Sequence, residues 1–559
     1  MIGLVAATGR GRGLAEALLS RLADARCYEG AARDALGRAW AECDAVVLFM
    51  ATGAAVRLCA PLLADKRTDP AVVTVDDAGR FAVALCGGHA GANELAETVA
   101  VLLGGHPVIT TASEALGYPA LDSLGSDLGF ELDSESDVAA VGAALAGGCE
   151  VGLVEDHRWP LPALPPGVVR RQAPAAPCLI ITDREVDPPR PSVVYRPKTL
   201  VAGVGCSRGA GSQEILELIG AALCDAGLSP ASIAHLSSID LKGDERGLLD
   251  AAARLGVPLR FHPASALREI PVPSPSEDVR TAVGTPSVAE AAVIASGAEL
   301  ATPKRKSSAA TVAIGCLHPR GLLHVVGVGP GNAALIPELA KRALARSEVI
   351  VGLRRYIDQV APLLRPGARV EASDIGDEVL RAELAVREAS CGKAVALVSG
   401  GDAGVYAMAS PALERVPEGV DVVCVPGVTA AVAAAALLGA PLGHDHASIS
   451  LSDLLTPWEL IRARVEAAAA ADMVVAFYNP RSRARAWQLG EARDILLAHR
   501  RRDTPVGVVS DAYRNNERVE LTTLGDLDVE CVGMTTTVVI GNSRTRIFSG
   551  RMVTPRGYR

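Results

Sequence analysis

Twelve cysteines are spread over 559 residues with no C-x-x-C spacing and no histidine pair beside them. That pattern excludes the common zinc, iron–sulfur and disulfide frameworks and reads as buried free thiols in a reducing compartment. Long basic runs are also missing, and the net charge is −9. Phosphate backbones are held by concentrated positive faces, so a nucleic-acid partner is not expected. No apolar run reaches the roughly 18 residues of a membrane span. The nearest, Val428 to Gly443, is alanine-rich and bounded by PG and PLG, which suits a packed helix. The opening MIGLVAATGRGRG lacks the charged leader, apolar core and cleavage site of a signal peptide. The expectation is a cytoplasmic protein without a membrane partner. Its length suggests about three or four domains.

What is present is alternation. Ile2 to Ala7, Ala45 to Ala51 and Ala71 to Val75 read as strands; Gly13 to Ala25 and Ala92 to Leu103 read as amphipathic helices. Strands alternating with helices predict layered α/β domains with largely parallel sheets. The boundaries fall at 1–125, 126–198, 199–315, 322–443 and 444–559. The second of these reads as a weakly patterned middle region and linker, because WPLPALPPG (Trp159 to Gly167) and DPPRPSVVYRPK (Asp187 to Lys198) are proline-dense. No solenoid-like repeat is present.

The chemistry-bearing segments of the last two regions share one form. HVVGVGPGN (His324 to Asn332), VSGGDAGVY (Val398 to Tyr406) and VPGVTA (Val425 to Ala430) each follow an apolar strand and precede a helix. Glycines at such turns let a ligand approach the backbone, and the helix that follows offers free N–H groups. The first turn is not a dinucleotide fingerprint, because Asn332 stands where the third glycine of G-x-G-x-x-G belongs. Asp402 and Thr429 are either helix caps or ligand contacts. AFYNPRS (Ala476 to Ser482) and MTTTVVIGNS (Met534 to Ser543) complete the set.

In this order, GVGPG, SGGDAGVY, PGVTA and FYNPRS resemble the tetrapyrrole (corrin and porphyrin) methyltransferases that use S-adenosylmethionine. FYNPRS, VIGNS and the closing MVTPRGY resemble the precorrin-3B C17-methyltransferases among them. The likeness covers nearly all of Leu322 to Arg559. It implies two α/β domains with the cofactor in the cleft between them, and a homodimer. It also implies cofactor contacts at Pro330, at Gly400, Gly401, Asp402 and Val405, at Thr429 and Ala430, and at Asn479 and Ala512. Two positions depart from the family pattern, Asn332 for an acidic residue and Ala403 for proline. The sulfonium carries an activated methyl group, so such an enzyme mainly aligns an electron-rich ring carbon and excludes water. A metal site is not required. The polycarboxylate acceptor calls for guanidinium groups. Arg481, Arg483 and Arg485 are candidates, against the plainer reading of a solvated face. Ring contraction accompanies C17 methylation in the family, and Asp445, with His444 and His446, is the candidate acid or base, against ordinary loop residues.

In the first half, GGHAGAN (Gly87 to Asn93), GVGCSRG (Gly203 to Gly209), IDLKGDE (Ile239 to Glu245) and GTPSVAEAAVIASG (Gly284 to Gly297) resemble the cobalt-precorrin-5A hydrolases. These open a lactone and release a two-carbon aldehyde. His89, Asn93, Cys206, Arg208, Asp240 and Lys242 are the candidate site, with a cysteine nucleophile and histidine base as one arrangement. A buried thiol and a core histidine are the plainer alternative. Together the halves read as a bifunctional enzyme of corrin construction that acts on a precorrin or cobalt-precorrin. The rivals are a nicotinamide-dependent oxidoreductase and a methyltransferase whose first half only binds tetrapyrrole.

Overall fold

The structure is a computed structural model. It describes residues 1–22, 24–65, 68–110, 120–482 and 485–558, with His89 described by its backbone alone. Two compact units emerge, Met1–Asp156 with Pro165–Leu317, and His157–Leu164 with His318–Arg559. Among the described residues no helix is long and apolar enough to cross a membrane.

The first unit holds three sheets. Strands Ala25–Tyr28, Ile2–Ala6, Ala45–Phe49, Ala71–Val75, Phe81–Cys86 and His106–Val108 lie side by side in that order. All pairings are parallel except that of Ala71–Val75 with Phe81–Cys86. Such strands are covered on both faces, and all five residues of Ala71–Val75 are buried. The first helix starts earlier than its apolar pattern predicts, running Gly9–Leu19, because the Thr8 hydroxyl caps it by accepting from the Gly11 N–H at 2.9 Å. Ala25 already belongs to the next strand.

The proline-dense middle region is a folded sheet rather than a linker. Glu131–Leu132, Ser192–Arg196, Cys178–Ile181, Val151–Glu155 and Val168–Arg170 are its strands in spatial order. Pro191 and Pro197 flank Ser192–Arg196 instead of interrupting it, which costs no ladder hydrogen bond. The third sheet is built on Leu200–Cys206, between parallel Ile233–Ile239 and antiparallel Ala310–Cys316.

The second unit has two lobes. In the first, Arg369–Ser373, Val349–Leu353, Ala394–Ser399, Gly321–Gly327 and Val420–Val425 form an all-parallel sheet. Alternate residues of Gly321–Gly327 serve opposite faces: Leu323 and Val325 pack with Ala382 and Ala385, and Val326 packs with Ala340 and Leu344. The chain leaves Gly321–Gly327 towards one sheet edge and Ala394–Ser399 towards the other. Neighbouring strands connected in opposite directions open a crevice at their carboxyl ends. In the second lobe, His446–Ser450, Val474–Tyr478, Thr536–Ile540, Pro505–Ser510 and Arg518–Thr523 form a mixed sheet. The alanine-rich run is the helix Ala430–Leu438, and its Ala431, Ala434 and Leu438 pack on Val474, Ala476, Val509 and Val539 of that sheet. The helix thus carries the end of the third glycine turn directly onto the second lobe.

Candidate active site

The three glycine turns of the first lobe touch one another. Gly329 and Gly401 exchange backbone hydrogen bonds, N–H to O, at 3.1 and 2.8 Å. A Cβ on Gly427 would lie 2.1 Å from the Gly401 oxygen, and one on Gly327 would lie 2.8 Å from the Gly427 nitrogen. Only glycine permits that approach. Asp402 ties the second turn to the third: Oδ2 accepts from the Gly427 N–H at 2.9 Å and Oδ1 from the Gly404 N–H at 2.8 Å. Its carboxylate is therefore engaged with backbone.

These turns border a cavity of about 1070 Å³. Pro330 lines it from the first turn, and Gly400, Gly401, Asp402 and Val405 from the second. Thr429 and Ala430 line it from the third, and Asn479 and Ala512 from the second lobe. All nine expected cofactor positions are thus brought to one space. The geometry suits a nucleotide-like group with polar ends. Gly401 has φ 65°, and a Cβ there would meet nothing nearer than 3.7 Å, so backbone faces open volume. The Ser399 hydroxyl lines the cavity, buried and without a partner. A buried polar atom left in that state is a ready ligand contact.

Three lining residues hold left-handed backbone without being glycine: Tyr406 at φ 52°, Asn479 at 48° and Asp511 at 48°. Each such conformation costs about 1–3 kcal/mol. Tertiary contacts hold the first two. The Tyr406 hydroxyl donates to the Ser448 carbonyl at 2.8 Å, and Asn479 Nδ2 donates to Ser450 Oγ at 3.1 Å. The rings of Tyr406 and Tyr478 lie 5.2 Å apart, and the Tyr478 hydroxyl accepts from the Ala431 N–H at 3.0 Å and meets Thr429 Oγ1 at 2.7 Å.

Of the arginines expected for the acceptor, Arg481 and Arg485 do not line this cavity. Arg481 pairs with Glu530 and lines a separate space with Val532 and Met534. Arg485 donates to the Asn479 and Leu451 carbonyls. Arg483 lies outside the described residues. The large cavity is instead lined by Arg354, Arg355, Arg381 and Arg514. Arg354 and Arg355 follow the strand Val349–Leu353, and Arg514 lies just beyond Pro505–Ser510. Place at a strand's carboxyl end is the sequence signal for their position at the cavity.

Asp445 is not at the cavity. It precedes the strand His446–Ser450, whose far end reaches Asn479, and five residues of strand span roughly 16 Å. Its side chain is 84% exposed beside His444. In the first unit, Cys206 ends the strand Leu200–Cys206. Burial pushes its thiol pKa up, with the Lys242 charge opposing. A nucleophilic cysteine is favoured by the reverse shift. Lys242 faces buried Glu245 at 3.8 Å, and Glu245 accepts from the Gly209 N–H at 2.9 Å. Arg208 pairs with Asp244 at 3.0 Å, and Asp240 opens the turn Asp240–Lys242. Asn93 lies in the helix Ala92–Leu103, and His89 lies in the turn Gly88–Ala90 before it. The Lys242 charge reaches Cys206, and the His89 side chain lies outside what the structure describes.

Residues 322–528 match the family described as tetrapyrrole (corrin/porphyrin) methylases. Upstream, residues 34–114, 119–197 and 200–315 match the families described as cobalamin synthesis G N-terminal, cobalamin biosynthesis central region and cobalamin synthesis G C-terminus. A cobalt-factor III methyltransferase of Priestia megaterium is 47% identical over 246 residues, 43% of this chain and 45% of that protein. The chain thus spans less than half of that relative's length. A probable cobalt-factor III C(17)-methyltransferase of Salmonella typhimurium is 47% identical over 240 residues, 42% of this chain and 99% of that protein. A precorrin-3B C(17)-methyltransferase of Sinorhizobium is 45% identical over 234 residues, 41% of this chain and 91% of that protein. With a near-complete relative aligned on its second unit and the cobalamin synthesis G regions ahead of it, the chain belongs to the tetrapyrrole (corrin/porphyrin) methylases.

Proposed function

We propose that the second unit methylates C17 of precorrin-3B or of its cobalt-bearing form, with ring contraction to the precorrin-4 level, and that the first unit is a hydrolase-like partner in corrin construction. One observation carries the reading: three backbone turns and two second-lobe residues converge on one cavity that a sulfonium nucleotide and a macrocycle could share. The names of the relatives support the acceptor. The twelve free thiols support a reducing, cytoplasmic location.

S-adenosylmethionine, when bound, supplies a methyl group already activated for transfer. Everything else falls to the chain. The open backbone at Gly401, the Thr429 hydroxyl and Asn479 would hold the nucleotide end, and Pro330 stiffens the turn beside it. Tyr406 and Tyr478 present a paired aromatic wall at the same space. Holding both reactants in line in such an enclosure converts a bimolecular step into a unimolecular one and excludes water. The nicotinamide alternative needs a third glycine and an acidic residue ending the next strand. Asn332 instead caps the turn Ala333–Leu335 through Ala334 N–H, and the strand Val349–Leu353 runs into Arg354.

The test is product mass. Full-length protein, methyl-labelled donor and either metal-free or cobalt-bearing substrate should give a labelled, ring-contracted product. Gly401→Arg, which fills the open volume, should abolish donor binding measured by calorimetry. Donor affinity unchanged in that variant would remove the nucleotide from this cavity, and tight NAD binding without donor binding would overturn the reading.

A further inference from the structure

The four cavity arginines differ in what they leave unspent. Arg381 is 4% exposed and fully used: it donates to Ser373 Oγ at 2.8 Å, to the Asp374 carbonyl at 2.7 Å and to Met408 Sδ at 3.5 Å. Arg354 faces Asp374 at 3.7 Å, and both are largely exposed. Arg355 spends one N–H, from Nη2 to Asp511 Oδ1 at 2.8 Å. Arg514 spends only Nε, on the Pro330 carbonyl at 2.6 Å, with its stem packed over Gly331. The Nη1 and Nη2 groups of Arg514 have no partner among the described residues.

Arg514 is nonetheless half-buried. Burial and the neighbouring Arg355 charge both lower its pKa from the ordinary arginine value. Both guanidiniums line the one cavity, and Asp511 links them: its carboxylate accepts from Arg355 at 2.8 Å and its backbone carbonyl from the Arg514 N–H at 3.0 Å. Asp511 supplies that carboxylate from a strained backbone at φ 48°. A half-buried guanidinium with unspent donors is costly unless an anion meets it, and a planar carboxylate fits its fork. Of the other acids lining the cavity, Asp402 is bound to backbone, Glu378 accepts from the Gly376 N–H and Asp374 faces Arg354, and no hydrogen bond or ion pair joins any of them to Arg514 among the described residues.

We propose that Arg355 and Arg514 form a carboxylate subsite for an acid arm of the acceptor macrocycle, with Asp511 standing in for that arm when none is bound. The proposal rests on the reading of this cleft as a tetrapyrrole methyltransferase site. The cofactor's amino-acid end also carries a carboxylate. The acceptor is favoured because Arg355 lies in the first turn of the helix Arg354–Val360 and is 41% exposed, whereas the groups suited to the nucleotide lie on the inner turns.

Two probes separate the sources. Uroporphyrin, a macrocycle with acetate and propionate arms, is titrated by fluorescence quenching, and S-adenosylhomocysteine by calorimetry, on full-length protein. Arg355→Gln and Arg514→Gln are each expected to weaken uroporphyrin roughly tenfold, as loss of a charge-assisted hydrogen bond does, and Arg355→Gln, which touches none of the glycine turns, to leave S-adenosylhomocysteine unchanged. Arg514→Lys keeps the charge and should recover part of the loss. Asp511→Asn removes the stand-in and should tighten uroporphyrin. If Arg514→Gln does not fold, the exposed Arg355 and Asp511 variants decide. Uroporphyrin affinity unchanged in the arginine variants, absent in the wild type, or replaced by a loss confined to S-adenosylhomocysteine, overturns the subsite. A wild-type protein that binds uroporphyrin with the expected variant pattern but not S-adenosylhomocysteine sinks the cofactor reading and leaves the subsite standing.

Discussion

At the scale of single residues, burial decides more than motif. His324 opens the first glycine segment, yet it is 5% exposed in an interior strand, its Nδ1 3.1 Å from Ser347 Oγ. Burial pushes its pKa down to about 4. His235 in the first unit is likewise pushed to about 4, by burial first and then by Arg260 and His262. The folded protein keeps both neutral, whereas the unfolded chain protonates them near pH 6.5. As pH falls from about 6.5 to 4, the unfolded state gains protons that the folded state refuses. Stability therefore drops across that window, by on the order of 3 kcal/mol for each histidine, and levels off below it. His324→Asn should flatten the fall in urea midpoint between pH 7 and pH 5, and an unaltered slope would refute the burial effect. The site residues read from glycine and proline were legible because those residues constrain backbone locally. Arg355 and Arg514 were not, since their meeting depends on two lobes folding together. Asp445, a candidate set against an ordinary loop residue, lies away from the cavity, because sequence nearness to a turn does not tell which end of a strand faces the crevice.

At the scale of elements, the close approach of the three turns is the feature that other choices serve. Gly427 does not need left-handed backbone; it needs space, since its Cβ would lie 2.1 Å from the Gly401 oxygen. Gly427→Ala must push the second and third turns apart. The expected cost is about 1–3 kcal/mol in thermal stability together with loss of S-adenosylhomocysteine binding. Gly490, inside the helix Gln488–His499, has nothing within 4 Å, so Gly490→Ala should instead stabilise by about 0.5–1 kcal/mol. A calorimetric melt of the two variants compares them directly, and equal midpoints would refute the crowding argument. Elements with one apolar face and clear punctuation, such as Ala92–Leu103 and Ala71–Val75, were legible in sequence. The middle sheet was not. Its strands are short, and proline clusters at their ends resemble a linker until pairing partners far along the chain are known.

At the scale of the molecule, the second unit is assembled from two pieces of chain. Arg158 Nη2 donates to both Glu348 oxygens, at 2.5 and 2.6 Å, and Trp159, Leu161 and Ala163 are buried. Residues 318–559 alone contain every lining residue of the cavity, so that fragment should still transfer methyl groups. Without residues 157–164 it should lose at least about 1.5–3 kcal/mol, that of a charge-assisted hydrogen bond, with the burial of Trp159 and Leu161 besides, and so melt at a lower temperature. A fragment that melts like the full-length second unit would show the short piece to be idle. The left-handed residues around the cavity have a larger consequence. Tyr406, Asn479 and Asp511 are where relaxing the backbone would most readily toughen the protein against heat, and also where its working surfaces are. If the cavity is the working site, a hardier variant relaxed at these positions would be expected to lose ligand affinity there.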